Sequence, residues 1–193
     1  MTIPKISTEQ MIALHGFFAE AVAVGEAALA EIGGCETEIE VHEIRCTALA
    51  EFGEQGLVLS DDLTAAVMGR LDGALPGSLA LALEPEEALL WAQIGGDGDP
   101  LEVFVALGRA VLSGIARSLG ELRRAAVRFE GGELVEQPEL AMLVATHAPS
   151  DTLVLSLRLR IGVRDEVLSA VSHLLIEPKY LPGLLSALSA AVH

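Results

Sequence analysis

Between Glu9 and Ile32 the apolar residues Met11, Leu14, Phe18, Ala21, Val22, Gly25, Ala28, Leu29 and Ile32 recur at three- and four-residue steps. At about 100° per residue, those steps lay one stripe along a long amphipathic helix, and Gly33-Gly34 ends it. From Thr37 to Ile44 the pattern turns to approximate alternation, with Ile39, Val41 and Ile44 among Glu38, Glu40 and Glu43. This predicts a strand with one polar face. A short irregular or helical piece covers 46–56. Two strands follow, Thr64 to Leu71 and Ser78 to Leu83, joined by the turn Asp72-Gly73-Ala74-Leu75-Pro76-Gly77. A short helix opens near Pro85 and carries Leu89, Leu90 and Trp91, before the linker Gly95-Gly96-Asp97-Gly98-Asp99-Pro100.

The second half repeats this order. Leu101 to Arg124 is another long helix, with Phe104, Leu107, Val111, Ile115, Ser118 and Leu122 on one stripe. A strand at Ala126 to Phe129, a piece from Pro138 to His147, strands at Thr152 to Val163 and Val167 to Ile176, and a closing helix near Tyr180 complete it. Glu84-Pro85 and Glu177-Pro178, 93 positions apart, each end a strand and open the last helix of a half. The pattern predicts an α+β fold, one domain over 1–193 built from two repeats at about 9–96 and 101–193. Each repeat is an α-β-β-β-α unit with a short piece after its first strand. Strands joined by tight turns favour a mainly antiparallel sheet, covered by the two long helices.

Composition narrows the partners. With 51% hydrophobic residues the chain has material for a core. Its 28 acidic against 12 basic residues, net −16, argue against a nucleic-acid groove or an anionic membrane surface. The acid is uneven: 18 acidic and 3 basic residues up to position 100, then 10 and 9. Met1 to Gln10 lacks the apolar core of a signal peptide. Glu20, Glu26, Glu31, Arg158 and Arg160 are expected to break the apolar runs short of a membrane span. Cys35 and Cys46 form no Cys-x-x-Cys pair and read as reduced thiols of a cytoplasmic protein. Asparagine is absent from the whole chain.

The chain resembles the CheC/CheX/FliY family of chemotaxis proteins, related to the middle domain of the flagellar switch protein FliM, over nearly its whole length. The resemblance rests on Ala13-Leu14-His15-Gly16-Phe17-Phe18-Ala19 running into Ala28-Leu29-Ala30-Glu31, and on Leu107-Gly108-Arg109-Ala110-Val111-Leu112-Ser113-Gly114 running into Ser118-Leu119. The Gly73-x-x-x-Gly77 turn before an apolar strand ending at Pro85 adds to it. It implies a pseudo-two-fold domain whose long helices each can carry a Glu-x-x-Asn pair. In active members that pair hydrolyses the aspartyl phosphate of the response regulator CheY, Asn orienting the water and Glu engaging the receiver's lysine. Such chemistry needs positioning and charge stabilisation above all, and residues three apart share a helix face.

Here the matching positions are Gly16 and Ala19 in the first helix and Ala106 and Arg109 in the second. Without asparagine, no shift of register restores either pair. No Glu-x-x-Gln replaces them, because Ser7, Phe52, Leu90 and Leu134 stand three before Gln10, Gln55, Gln93 and Gln137. No catalytic residue is assigned. Opposite Phe18, the first helix presents Ile12, Gly16, Ala19, Ala23, Ala27 and Ala30. Either a helix or another subunit packs on that face, or alanine stands there as a good helix former. The second helix presents Glu102, Ala106, Arg109, Ser113, Ala116 and Arg117, with Gly120 and Arg124 beyond. Arg109, Arg117 and Arg124 make a loose basic stripe, which either meets an acidic receiver pocket or phosphoryl group or pairs with Glu102, Glu121 or the acidic first half.

Other chemistry is sparse. His15, His42, His147, His173 and His193 form no metal-binding spacing, and no metal or cofactor is expected. Asp97-Gly98-Asp99 lacks the remaining ligands of a calcium loop. No Gly-x-Ser-x-Gly elbow or phosphate-binding Gly-x-x-x-x-Gly-Lys loop occurs. Trp91 and Tyr180 read as core anchors, and the acidic run Glu36 to Glu43 as the solvated face of a strand. The leading expectation is a non-catalytic CheC-like pseudo-phosphatase that binds a CheY-type receiver, a CheD-type deamidase or a flagellar switch component. A divergent CheY-phosphate phosphatase and a FliM-like structural homodimer are the alternatives.

Overall fold

A computed structural model describes residues 6–33, 36–57, 59, 64–136 and 151–191. Helix α1 (Thr8–Gly33) starts on a reciprocal cap: the Gln10 N–H donates to Ser7 Oγ at 3.2 Å, and the Ser7 N–H donates to Gln10 Oε1 at 2.9 Å. Strand β1 (Thr37–Ala48), a 3₁₀ turn at Leu49–Glu51, the short helix α2 (Phe52–Gln55), strands β2 (Ala65–Gly73) and β3 (Gly77–Leu83), and helix α3 (Pro85–Gly95) follow. Helix α4 (Pro100–Arg123) begins with Pro100 in its first turn, and Asp99 accepts from the Leu101 and Glu102 N–H groups at 2.9 and 3.3 Å. Strands β4 (Val127–Glu136), β5 (Leu153–Val163) and β6 (Glu166–Ile176), a 3₁₀ turn at Pro178–Tyr180 and helix α5 (Leu181–Ala191) complete the described chain.

The six strands form one sheet in the order β1-β5-β6-β3-β2-β4, antiparallel at every step. Exchanging β1 with β4, β2 with β5 and β3 with β6 returns the same order read backwards, so a pseudo-two-fold passes between β3 and β6. Alternation divides the faces. Leu79, Leu81, Leu83, Leu155, Leu157, Leu159, Leu174 and Ile176 enter the main core with Leu14, Phe18, Trp91, Phe104, Val111 and Leu184 from the helices. Met68, Ala80, Val154 and Leu175 pack on the other side with Leu49 and Phe52. Helices α1 and α4 meet closely: a Cβ at Gly25 would stand 2.9 Å from Val111 Cα, and one at Gly114 2.6 Å from the Gly25 nitrogen. Any side chain at that crossing would push the helices apart.

Several expectations need adjusting. Strand β1 continues past Ile44 to Ala48, and β4 continues past Phe129 to Glu136. Ile32, placed on the core stripe, is 48% exposed because it lies in the last turn of α1. The charges do not break every apolar run: α1 and α4 each hold a window with mean hydropathy 1.4, long enough to cross a membrane. In the fold these two helices pack on one another and into the main core. The piece from Pro138 to His147 and Cys35 lie outside the described residues. Acidic β1 is an edge strand, and its Glu38 and Glu40 are exposed. Glu26 of α1 accepts the Ile39 N–H at 2.5 Å, covering part of β1.

Candidate functional site

The outward face of α1 carries Ile12, Gly16, Ala19, Ala23, Ala27 and Ala30, every one exposed. Ile12 is 68% exposed, and a Cβ at Gly16 would meet nothing within 4 Å. The expectation that a helix of this chain packs there is not met among the described residues: α1 turns Leu14, Phe18, Val22 and Leu29 to the core and leaves these six outside. Beside this face runs a groove of about 760 Å³ between α1, the end of α4 and α5, with Ala13, Phe17, Leu122 and Leu188 in its lining and Glu9 and Glu20 along it.

The α4 face is different. Glu102, Arg109, Ser113, Arg117 and Arg124 are exposed, and Ala106 and Gly120 are half-buried. Ala116, expected on this face, is 1% exposed instead, because the buried sector of α4 is wide enough to take in Leu112, Ala116 and Leu119. The three arginines do not act as one stripe. Arg109 Nε–H donates to the Gly132 carbonyl at 2.8 Å. Gly131 and Gly132 have φ of 88° and 87°, and Gly132 has no partner in the β2–β4 register, which runs from Met68↔Glu133 to Gly69↔Gly131. This is a β-bulge, and Arg109 satisfies the carbonyl it frees. Arg117 pairs with Glu121 at 3.4 Å across exposed surface, a contact of small energetic weight. Arg124 caps the end of α4 in the left-handed region, φ 51°. Glu121 is thus used as expected, whereas Arg109 takes a backbone carbonyl, not a carboxylate.

Between α4 and β4 lies a shallow depression of about 790 Å³, lined by Ser113, Arg117, Glu121, Arg128, Phe129 and Glu130 among others. Arg128 bridges Asp72 at 2.9 Å and lies 3.9 Å from Glu130. Its hydrogen bond holds the Asp72 carboxyl below the usual range. The depression thus sets acidic and basic side chains side by side around Phe129.

One buried polar pair has no mark in the local sequence. Ser156 and His173 stand opposite one another on β5 and β6, with Ser156 Oγ 3.0 Å from His173 Nδ1. The Phe52 ring lies edge-on to the imidazole at 5.0 Å. Ser156 is 1% and His173 2% exposed, so no substrate reaches them, and burial lowers the imidazole to about 3. The pair is a buried structural contact. Trp91 is fully buried against Phe104, as expected of a core anchor, while Tyr180 is half-buried. Cys46 is a free, half-buried thiol whose burial raises it to about 11. Among the described residues no three His, Cys, Asp or Glu side chains converge into a metal set.

The sheet order, the paired long helices and the positions above define a fold of the CheC/CheX/FliY type. Among solved structures, Thermotoga maritima FliY superposes with a TM-score of 0.75 at 12% identity, over 95% of this chain and 98% of that one. The FliM middle domain of H. pylori gives 0.65 at 13%, over 94% and 99%. The CheX of a Borrelia burgdorferi CheX–CheY–BeF3–Mg2+ complex gives 0.50 at 16%, over 90% and 100%. At these identities the likeness establishes the fold. No family model and no curated protein sequence matches the chain.

Proposed function

We propose that the protein is a cytoplasmic, non-catalytic CheC-like component of a chemotaxis or related two-component system, binding a response-regulator receiver domain without hydrolysing its phosphate. One observation carries this reading. The positions where the resemblance puts Glu-x-x-Asn hold Gly16, Ala19, Ala106 and Arg109, on a fold shared with a CheX solved together with CheY. Arg109, in place of an asparagine, is spent on the Gly132 carbonyl. In this reading Glu102, Ser113, Arg117 and Arg124 form the docking face on α4, with Ile12 and Ala23 on α1 as a second surface. The palindromic strand order supports treating 9–96 and 101–193 as two repeats of one domain. Titrating a CheY-type receiver, with and without BeF3, against wild type and Arg117→Glu/Arg124→Glu tests the docking. Affinity at least tenfold weaker in the variant is expected, and unchanged affinity refutes the α4 face. A CheD-type deamidase and a flagellar switch protein are the other partners to titrate, since a FliM of this fold was solved in a FliG–FliM complex.

The uncovered face of α1 favours one second reading, a FliM-like assembly part that self-associates through Ile12, Gly16, Ala19 and Ala23. Light scattering tests it: a concentration-dependent dimer abolished by Ala19→Arg supports it, and a monomer throughout removes it.

A further inference from the structure

Three of the six large hydrophobic residues left exposed in the described chain, Leu89, Leu101 and Leu134, at 47%, 59% and 37% exposure, converge at one place. They border an apolar cup of about 180 Å³, where the first turns of α3 and α4 meet the start of β2 and the far end of β4. Ala65, Pro85, Ala88, Pro100 and Phe104 supply the rest of the apolar lining. The cup also has one polar neighbour. Thr64, which lines it, is 3% exposed, and its Oγ1 is buried without a hydrogen-bond partner. A hydroxyl left so is destabilising, because buried polar groups are ordinarily satisfied.

The size of the cup selects its occupant. An apolar cavity of about 150 Å³ holds one benzene ring, whereas a stable protein interface covers about 800 Å² on each side, far more than three leucines provide. An aromatic ring suits the lining, because Phe104 already makes an edge contact with Trp91 and lines the cup as well. Charge selects a neutral ligand: Glu86 and Glu102 occupy the first turns of α3 and α4, and the chain carries −16. The hydroxyl of Thr64 selects a ligand with a hydrogen-bonding group of its own. We propose that the cup is a binding site for a small, neutral hydroxy-aromatic molecule, its ring among Leu89, Leu101, Phe104 and Leu134 and its hydroxyl paired with Thr64. The cup adjoins the α4 docking face at Glu102, but none of its lining residues belongs to that face, and the proposal does not rest on receiver docking.

The probes are p-cresol, toluene and benzoate, titrated into isotopically labelled full-length protein while the methyl signals of Thr64, Leu89, Leu101 and Leu134 are followed. Saturable shifts are expected, with p-cresol binding roughly tenfold tighter than toluene and benzoate weakest. Thr64→Val should erase the p-cresol preference and Thr64→Ser should keep it, while Leu101→Gln, on exposed surface, should weaken both neutral probes. No saturable shift with p-cresol at millimolar concentration, equal affinity for p-cresol and toluene in wild type, or a preference that survives Thr64→Val would each overturn the proposal.

Discussion

Acid should weaken this protein through the buried imidazole of His173. His173 is fully enclosed between β5, β6 and Phe52, and its ionisation lies near 3 in the folded chain, against about 6.5 when unfolded. The sign follows from proton uptake. Below about pH 6.5 the unfolded chain binds a proton at His173 that the folded chain refuses until about pH 3, so stability is full above 6.5 and falls as the pH drops. Linkage gives a loss of about 2 kcal/mol at pH 5 relative to pH 8, on the order of 1.4 kcal/mol for each further pH step. Urea unfolding, read by fluorescence of the single, buried Trp91, measures this directly. The comparison is Ser156→Ala/His173→Leu, which removes both partners of the 3.0 Å contact and leaves neither polar group orphaned. Between pH 8 and 5 the wild type should lose about 2 kcal/mol more than the variant. Parallel pH profiles for the two proteins would refute both the burial of His173 and the reading of the pair as structural.

The remaining predictions are of three kinds. Gly114→Val, which forces a side chain against Gly25 of α1, should cost about 2–3 kcal/mol and lower Tm by roughly 5–10 °C; the same change at Gly16, where a Cβ meets nothing, should cost less than about 1 kcal/mol by calorimetry. Arg109→Ala should cost about 1 kcal/mol and speed amide hydrogen exchange around the bulge at Gly131 and Gly132, leaving α4 protected; unchanged exchange in β4 would remove the clamp. Gly16→Glu/Ala19→Asn rebuilds the missing pair on an open helix face, and should keep wild-type stability while accelerating phosphate release from a phosphorylated CheY-type receiver.

What local pattern predicts here is the set of helices and the hairpin at Gly73 to Gly77, and what it misses is broken alternation. Strand β1 reads as ending at Ile44 because a register shift between Val41 and Glu43 interrupts the period of two, after which Ile44 and Cys46 pack on the core again. Strand β4 reads as ending at Phe129 because Glu130-Gly131-Gly132-Glu133 has the composition of a turn, yet it is a bulge inside a continuing strand. The candidate helix faces were legible because they follow from angles about one axis. Their chemistry was not, because the contacts that decide it join distant residues: Arg109 with Gly132, Ser156 with His173, Glu26 with Ile39. No local spacing marks such pairs. The absence of asparagine, in contrast, needs no structure at all, and it bears most heavily on function.

Receiver binding without the hydrolytic pair, as proposed, is decided by following inorganic phosphate release from a phosphorylated CheY-type receiver in the presence of increasing amounts of this protein. Saturable binding is expected, with a release rate at or below that of the receiver alone. A rate that rises in proportion to the added wild-type protein would contradict it.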